Sequence, residues 1–361
     1  MILKNTSELP IGVIGSGNFG TVVANLLASH REVLFFIRNE NSFNDIIKNR
    51  HNRGIKLHDK VKPVNDLKFL VSHCDVIFPI VPSTSFRSMV KDMAPFLNPY
   101  HILIHGTKGF DIKLADGETL KSAKLLSRLQ VRTMSEVIQE ESVVARIGCL
   151  SGPNLSKELA QRQPGATVIA SHFKEVIHIG KRLLRNDRFQ VYSNDDIIGV
   201  EIAGGLKNII AIAAGMLSGL GYGENAKGLL ISRGATEMIY LGQVLGGHSK
   251  AFLGVAGIGD LVTTCNSQLS RNFTVGYRLA KGEKLTDILQ DMKEVAEGVN
   301  TVIVAKKCAE FYHARPLITN AIYKVLFESL TVQEALDYLM RHPLNFDINF
   351  AMPEVESNEE L

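Results

Sequence analysis

The sequence predicts an α/β amino-terminal domain on a mostly parallel, doubly wound sheet, followed by an all-α carboxy-terminal domain. Three observations predict it. Short β-branched runs alternate with helical stretches over the first half of the chain, the pattern of repeated βαβ units. Beyond about residue 193, apolar residues recur at three- and four-residue spacing instead, which is a helical period. The length of 361 residues suits two domains at roughly 150 residues each.

Taken in order, Ile11-Gly-Val-Ile14 is a buried strand, followed by a glycine-rich turn and a periodic helix over Thr21 to Ala28. Glu32 to Ile37 is the second strand. Asp75 to Val81, closed by Pro82, and Ile102 to His105 are further strands. Gly148 to Leu150, Ala166 to Ala170 and Phe189 to Tyr192 are shorter ones. In the second half Val200, Ala203, Leu206, Ile210, Ala213 and Leu217 mark one helical face. Thr286 to Lys293, Thr301 to Tyr312, Thr319 to Glu328 and Val332 to Met340 mark four more helices. The expected boundaries are 1–193 for the sheet domain, 194–345 for the helical domain and 346–361 for a frayed acidic tail. The last ten residues carry four glutamates and no cation.

Composition excludes several classes. With 45% hydrophobic and 21% charged residues, the chain can bury a sizeable core and is not disordered. Forty Lys plus Arg against 37 Asp plus Glu argues against a dedicated nucleic-acid binder. Cys74, Cys149, Cys265 and Cys308 are far apart, so neither metal-ligand spacing nor a disulfide framework is expected, and a reducing compartment is. Met1 to Pro10 lacks a basic region followed by an apolar stretch, so the expected setting is cytoplasmic. Ile202 to Gly223 is long enough to cross a membrane and holds a single charge, Lys207. Six of its residues are glycine and no basic cluster or aromatic belt flanks it, so it reads as a buried core helix.

Gly15-Ser16-Gly17-Asn18-Phe19-Gly20 fits G-x-G-x-x-G between a strand and a helix, the setting of a Rossmann-type dinucleotide site. Gly15 permits the tight turn, Gly17 lets the backbone approach a pyrophosphate, and Gly20 allows close packing. The helix amino terminus then offers free N–H groups to the phosphates. NAD-selective folds carry a carboxylate at the end of the second strand. Here the chain reads Phe35-Phe36-Ile37-Arg38-Asn39. Arg38 suits a 2′-phosphate or adenine stacking, or stands as a solvated surface residue, and the pattern leans to NADPH with NADH also admitted.

Lys108, in His105-Gly-Thr-Lys-Gly109, follows the carboxyl end of a strand, where ligands of open sheets bind. Ser151-Gly152-Pro153-Asn154-Leu155-Ser156 is a small polar turn that either meets a ligand or caps the next helix. Lys207 is the strongest single clue. Burying an ammonium is costly and lowers its pKa, which fits it to exchange a proton with substrate. The competing reading is a Lys that reaches solvent or pairs with Glu201. Gly257-Ile-Gly-Asp260, with Thr263 and Thr264, offers a carboxylate and hydroxyls, although Asp260 could simply cap a helix. Ser270-Arg271-Asn272 precedes a helical stretch and suits a phosphate. Val295-Ala-Glu297-Gly298 reads alone as a turn.

Val200-Glu-Ile-Ala-Gly-Gly-Leu-Lys-Asn208, Gly257-Ile-Gly-Asp260 and Ser270-Arg-Asn272 together resemble the NAD(P)-dependent glycerol-3-phosphate dehydrogenases of the bacterial, cytosolic type, over Ile11 to Met340. The resemblance implies reversible reduction of dihydroxyacetone phosphate to sn-glycerol 3-phosphate, the phospholipid backbone, by a homodimer using NADPH or NADH. It implies dinucleotide contacts from Asn18, Phe19, Arg38, Ser156, Val295 and Glu297, beside the glycines of the turn. Lys108, Gly152, Asn154, Lys207, Asp260, Thr264, Ser270, Arg271 and Asn272 would surround the substrate. Lys108 and Arg271 would also serve the cofactor, and Lys207 would deliver the proton. Bacterial members commonly have Ser-Phe-Ala where this chain has Asn154-Leu155-Ser156. The stretch from Lys108 to Ser135 is longer than usual by about fifteen residues, and Asp116 to Arg132 is expected to be peripheral. Two other readings compete. A β-hydroxyacid dehydrogenase would not need Ser270-Arg-Asn272 as a phosphate seat, and a non-catalytic dinucleotide sensor would not need to bury Lys207.

Overall fold

A computed structural model describes residues 9–292 and 296–341. Val295 and the acidic tail therefore lie outside the described residues.

Eight strands form one sheet: Ile11–Ile14 (β1), Val33–Phe36 (β2), Val61–Val64 (β3), Val76–Pro79 (β4), Ile102–His105 (β5), Arg146–Ser151 (β6), Gly165–Ala170 (β7) and Phe189–Asn194 (β8). Their order is β3-β2-β1-β4-β5-β6-β7-β8, and every neighbouring pair is parallel except β6 with β7. The chain winds outward from β1 in both directions, with Ile14 opposite both Phe36 and Pro79. Ligand crevices open at such a reversal, beyond the carboxyl ends of the strands.

The helices of the sheet domain include Asn18–Ala28 (α1), Ser83–Met93 (α2), Met134–Glu141 (α3) and Ser156–Ala160 (α4). One face of the sheet, with Val13, Phe35 and Ile104, closes on α1 and on Lys174–Leu184. The opposite face, with Ile77 and Leu103, shares one buried core with the helices that follow.

Those helices are arranged around Ile197–Gly219 (α5), on which Glu224–Val244 (α6), Asp260–Asn266 (α7), Arg271–Ala280 (α8) and Glu297–Phe311 (α9) all pack. Leu285–Asp291, Leu317–Phe327 and Val332–Arg341 complete the set. α5 is apolar enough to cross a membrane, yet 94% of its most apolar window is buried inside the protein. It is a core helix, as its glycines suggest. Gly215 and Gly276 let α5 and α8 touch backbone to backbone: a Cβ on Gly276 would fall 1.9 Å from the Ile212 carbonyl oxygen.

Four details depart from the sequence reading. β3 pairs with β2 at the edge of the sheet, but Lys62 and Pro63 interrupt its hydrophobic run. α6 carries no clear helical period in the sequence, because Gly228, Ser232 and Gly234 dilute it. α9 begins at Glu297, so Glu297 and Gly298 of the expected turn are already helix. The stretch over Asp116 to Arg132 is not peripheral either. Ala123 and Leu126 enter the main core, and Lys307 of α9 donates to the carbonyls of Leu120, Lys121 and Ala123. Arg128 adds bonds to the Leu245 carbonyl at 2.6 Å and from its own amide to the Tyr312 hydroxyl at 2.9 Å. The stretch straps the sheet domain to the helices.

Candidate active site

Lys207 lies midway along α5 with its side chain 6% exposed. Its Nζ donates to Asp260 Oδ1 at 2.5 Å and to Thr264 Oγ1 at 2.6 Å. Asp260 and Thr264 stand one turn apart on α7, so both reach the same ammonium. Asp260 is thus the first residue of its helix, and its carboxylate is committed to lysines rather than to a cap. Lys108 arrives from the loop after β5 and donates to Asp260 Oδ2 at 2.5 Å and to the Gly152 carbonyl at 3.1 Å. Two ammoniums share one buried carboxylate, which leaves the pocket net positive. Lys207 does not pair with Glu201.

The electrostatics follow from this geometry. Burial is the largest influence on Lys207 and lowers its pKa to about 8; Lys108 pushes the same way while Asp260 opposes it. Burial would raise the Asp260 carboxyl, but Lys108 and Lys207 together hold it below the usual carboxylate range. A lysine of that pKa is poised to give or take a proton near neutrality.

The pocket wall carries further polar groups. Gly204 on α5 leaves room for the Lys108 stem, since a Cβ there would meet Ser151 Oγ at 3.2 Å and Lys108 Cγ at 3.6 Å. Ser151 Oγ is buried with no hydrogen-bond partner among the described residues, and so is Asn154 Oδ1. The Asn154 amide nitrogen is taken by Thr167 Oγ1 at 3.0 Å. Buried acceptors left unpaired cost about 1–3 kcal/mol each and call for a ligand or water.

The glycine turn forms a cradle. Gly15 has φ +119° and passes so close to β4 that a Cβ would lie 1.9 Å from the Ile80 carbonyl oxygen. Gly20 lies equally close to the Gly15 carbonyl. Gly17 precedes α1 without a side-chain cap, and nothing lies within 4 Å of its would-be Cβ. That open space before uncapped N–H groups fits a dinucleotide pyrophosphate. Phe19 presents its ring to Gly106, two residues before Lys108. Ser156 opens α4, which packs against α1; it is a first-turn residue, not the cap, which is Leu155.

The other expected residues divide. Glu297 accepts from the Ser83 amide at 3.0 Å and hydroxyl at 2.5 Å, beside Gly109 and therefore near Lys108. Ser270 caps α8 by accepting from the Phe273 amide. Asn272 is buried, and its Oδ1 accepts from the Gly298 amide at 2.9 Å, where the Asn208 carbonyl also lies close. Ser270 is thus engaged in capping α8, and Asn272 in joining α8 to α9. Arg271 is exposed on the first turn of α8. Arg38 stands apart on the rim, 3.8 Å from Asp92 and 68% exposed. Among the described residues no group of three or more His, Cys, Asp or Glu could hold a metal ion.

This arrangement of a glycine cradle, paired lysines on one aspartate and a basic helix start can be set against known proteins. Residues 10–177 match the family described as NAD-dependent glycerol-3-phosphate dehydrogenase N-terminus, and residues 196–337 match the corresponding C-terminus. The chain belongs to the NAD-dependent glycerol-3-phosphate dehydrogenase family. It is 39% identical to glycerol-3-phosphate dehydrogenase (NAD(P)+) of Pseudomonas putida, covering 96% of this chain and 98% of that one. The Teredinibacter turnerae enzyme of the same name is 38% identical at 95% and 98% coverage. A crystal structure of glycerol-3-phosphate dehydrogenase from Coxiella burnetii superposes with a TM-score of 0.82, at 31% identity and over 93% of this chain and 99% of that one. The glycerol-3-phosphate dehydrogenase fold is therefore that of this chain: a Rossmann sheet followed by helices. Sequence reading missed Ser83 and the buried group His105–Glu201–Ser135. Glu201 did leave a signal, as the acid just before a 22-residue stretch whose only charge is Lys207.

Proposed function

We propose that this protein is an NAD(P)H-dependent oxidoreductase that reduces dihydroxyacetone phosphate to sn-glycerol 3-phosphate, reversibly. The observation that carries the reading is the buried Lys207 held with Lys108 on Asp260. When bound in the cradle of Gly15, Gly17, Asn18, Phe19 and Gly20, the dinucleotide supplies the hydride for the ketone carbon. Lys207 Nζ then gives its proton to the carbonyl oxygen, which becomes the hydroxyl of the product. Lys108 and Asp260 orient the carbonyl end, with Gly152, Asn154 and Thr264 lining it. Arg271, at the start of α8 and flanked by Ser270 and Asn272, receives the phosphate and also faces the cofactor. Glu297 and Val295 complete the dinucleotide side with Ser156. The reading includes a homodimer, a cytoplasmic setting in keeping with four buried, unpaired thiols, and domains over 1–193 and 194–345.

The purified protein should oxidise NADPH when given dihydroxyacetone phosphate and fail with unphosphorylated dihydroxyacetone; no turnover with either reduced cofactor would refute the reading. NADPH should serve at least as well as NADH. Arg38→Ala should raise the NADPH Michaelis constant more than that for NADH. Its exposed position and loose pairing with Asp92 leave it free to meet a 2′-phosphate. Equal effects on both cofactors would remove Arg38 from that role.

The pH profile has a definite sign. Reduction needs the Lys207 ammonium, so kcat/KM for the ketone should be level below about pH 8 and fall above it. Oxidation needs the neutral amine and should rise through the same range. Limbs of the same sense in both directions would exclude Lys207 as the proton carrier.

A further inference from the structure

Three buried polar groups from separate elements meet at the junction of sheet and helices. Glu201 of α5 accepts from the Ser135 amide of α3 at 2.9 Å and from the Ser135 hydroxyl. The His105 ring, at the end of β5, brings Nε2 within 3.0 Å of Glu201 Oε1. That contact is close but poorly aligned, and Nδ1 has no partner among the described residues. His105 is fully buried, and the Glu201 side chain is 2% exposed.

A buried, charged group of this kind is a poor way to gain stability, because apolar residues of similar volume commonly do as well or better. Its placement gives it another use. His105 lies three residues before Lys108, and Glu201 lies six residues before Lys207, about 9 Å along α5. Lys207, Asp260 and Thr264 all belong to packed helices, whereas Lys108 comes from the sheet side. Besides its bond to the Gly152 carbonyl, Lys108 depends on the fit of the end of β5 against α5 to reach Asp260. We infer that Glu201, His105 and Ser135 are positioning residues, which lock the end of β5 onto α5 so that Lys108 and Lys207 meet on the Asp260 carboxylate. The inference rests on the proposed roles of those two lysines.

The lock has an electrostatic signature. Lys207 is faced by Asp260 and Cys265 from α7 and by Lys108 from the loop after β5; Cys149 of β6 lies near both Glu201 and Lys108. Lys108 lowers the Lys207 pKa and Asp260 raises it. If the lock is released, Lys108 withdraws and leaves Asp260 to Lys207, and both changes push the Lys207 pKa upward. A merely structural role would leave that titration where it is.

The experiment compares Glu201→Leu and Glu201→Gln with the wild-type full chain. It measures kcat and KM for dihydroxyacetone phosphate, NADPH affinity by fluorescence, and the lysine titration by NMR of 13Cε-lysine-labelled protein. For Glu201→Leu the expected result is a kcat at least about tenfold lower, with NADPH affinity within about twofold. The Lys207 titration should move up by at least about half a pH unit. Glu201→Gln can still accept from the Ser135 amide and should stay within about threefold of wild type. His105→Leu releases the lock from the other side and gives the same readings where Glu201→Leu does not fold. A kcat within about threefold and an unmoved Lys207 titration in the leucine variant would overturn the inference. So would equal losses in the Gln and Leu variants with that titration unmoved. A wild-type protein without activity on dihydroxyacetone phosphate would refute the proposed function instead, and the NMR titration would still decide whether the lock couples to Lys207.

Discussion

Replacing Lys207 with methionine should lower turnover by about 10²–10⁴-fold, the usual worth of a positioned proton donor. Methionine keeps the unbranched apolar stem that threads the core, so the helix should fold. The change removes one of two cations from the Asp260 carboxylate, but Lys108 still donates to it at 2.5 Å, so that acid is not left bare. The upper part of the range is expected, because the ammonium also stabilises the alkoxide as it forms. Cofactor affinity should change little, since the glycine turn after β1 lies on another element. The tests are stopped-flow hydride transfer and NADPH fluorescence on the same preparation. A folded variant that binds NADPH and turns over within about tenfold of wild type would make Lys207 a structural residue.

Much of this architecture can be read from local signals. The β1 strand, its glycine turn and α1 form one contiguous stretch whose pattern and spacing carry the fold on their own. Lys207 stands out for an equally local reason, as a lone charge in an apolar helix. What stays hidden is what depends on distant partners. Nothing near Asp260 says that it bridges two lysines 152 and 53 residues away. Asn272 reads as a phosphate ligand beside Arg271, whereas its buried oxygen holds Gly298 across the α8–α9 corner. β3 is disguised by Lys62 and Pro63, which an outer strand tolerates on its free side. The strap over Asp116 to Arg132 lacks periodicity, because it is held by Lys307 and Arg128 to backbone carbonyls rather than by a hydrophobic stripe. The joint of His105, Glu201 and Ser135 is likewise assembled from residues 30 to 96 positions apart, and only the folded chain brings them together.

Arg271→Ala should weaken use of dihydroxyacetone phosphate strongly while leaving unphosphorylated dihydroxyacetone as poor a substrate as before. Truncating one partner of a desolvated charge pair costs about 2–5 kcal/mol, which is roughly 30- to 5,000-fold in kcat/KM. Arg271 opens α8, so a phosphate there would meet both the planar guanidinium fork and the positive end of a ten-residue helix. The helix contribution survives the mutation, which argues for the middle of the range. Its neighbours are poorer candidates for the main charge contact, because Ser270 is spent on the cap and Asn272 on Gly298. Arg271→Lys keeps the charge but loses the bidentate geometry, and should recover only part of the loss. Binding energy from the phosphate also helps hold the ketone against Lys207, so the defect should fall on kcat as well as on KM. Steady-state kinetics on the two substrates, with the Ala and Lys variants side by side, decide it: unchanged kinetics with the phosphorylated substrate would move the phosphate seat away from α8.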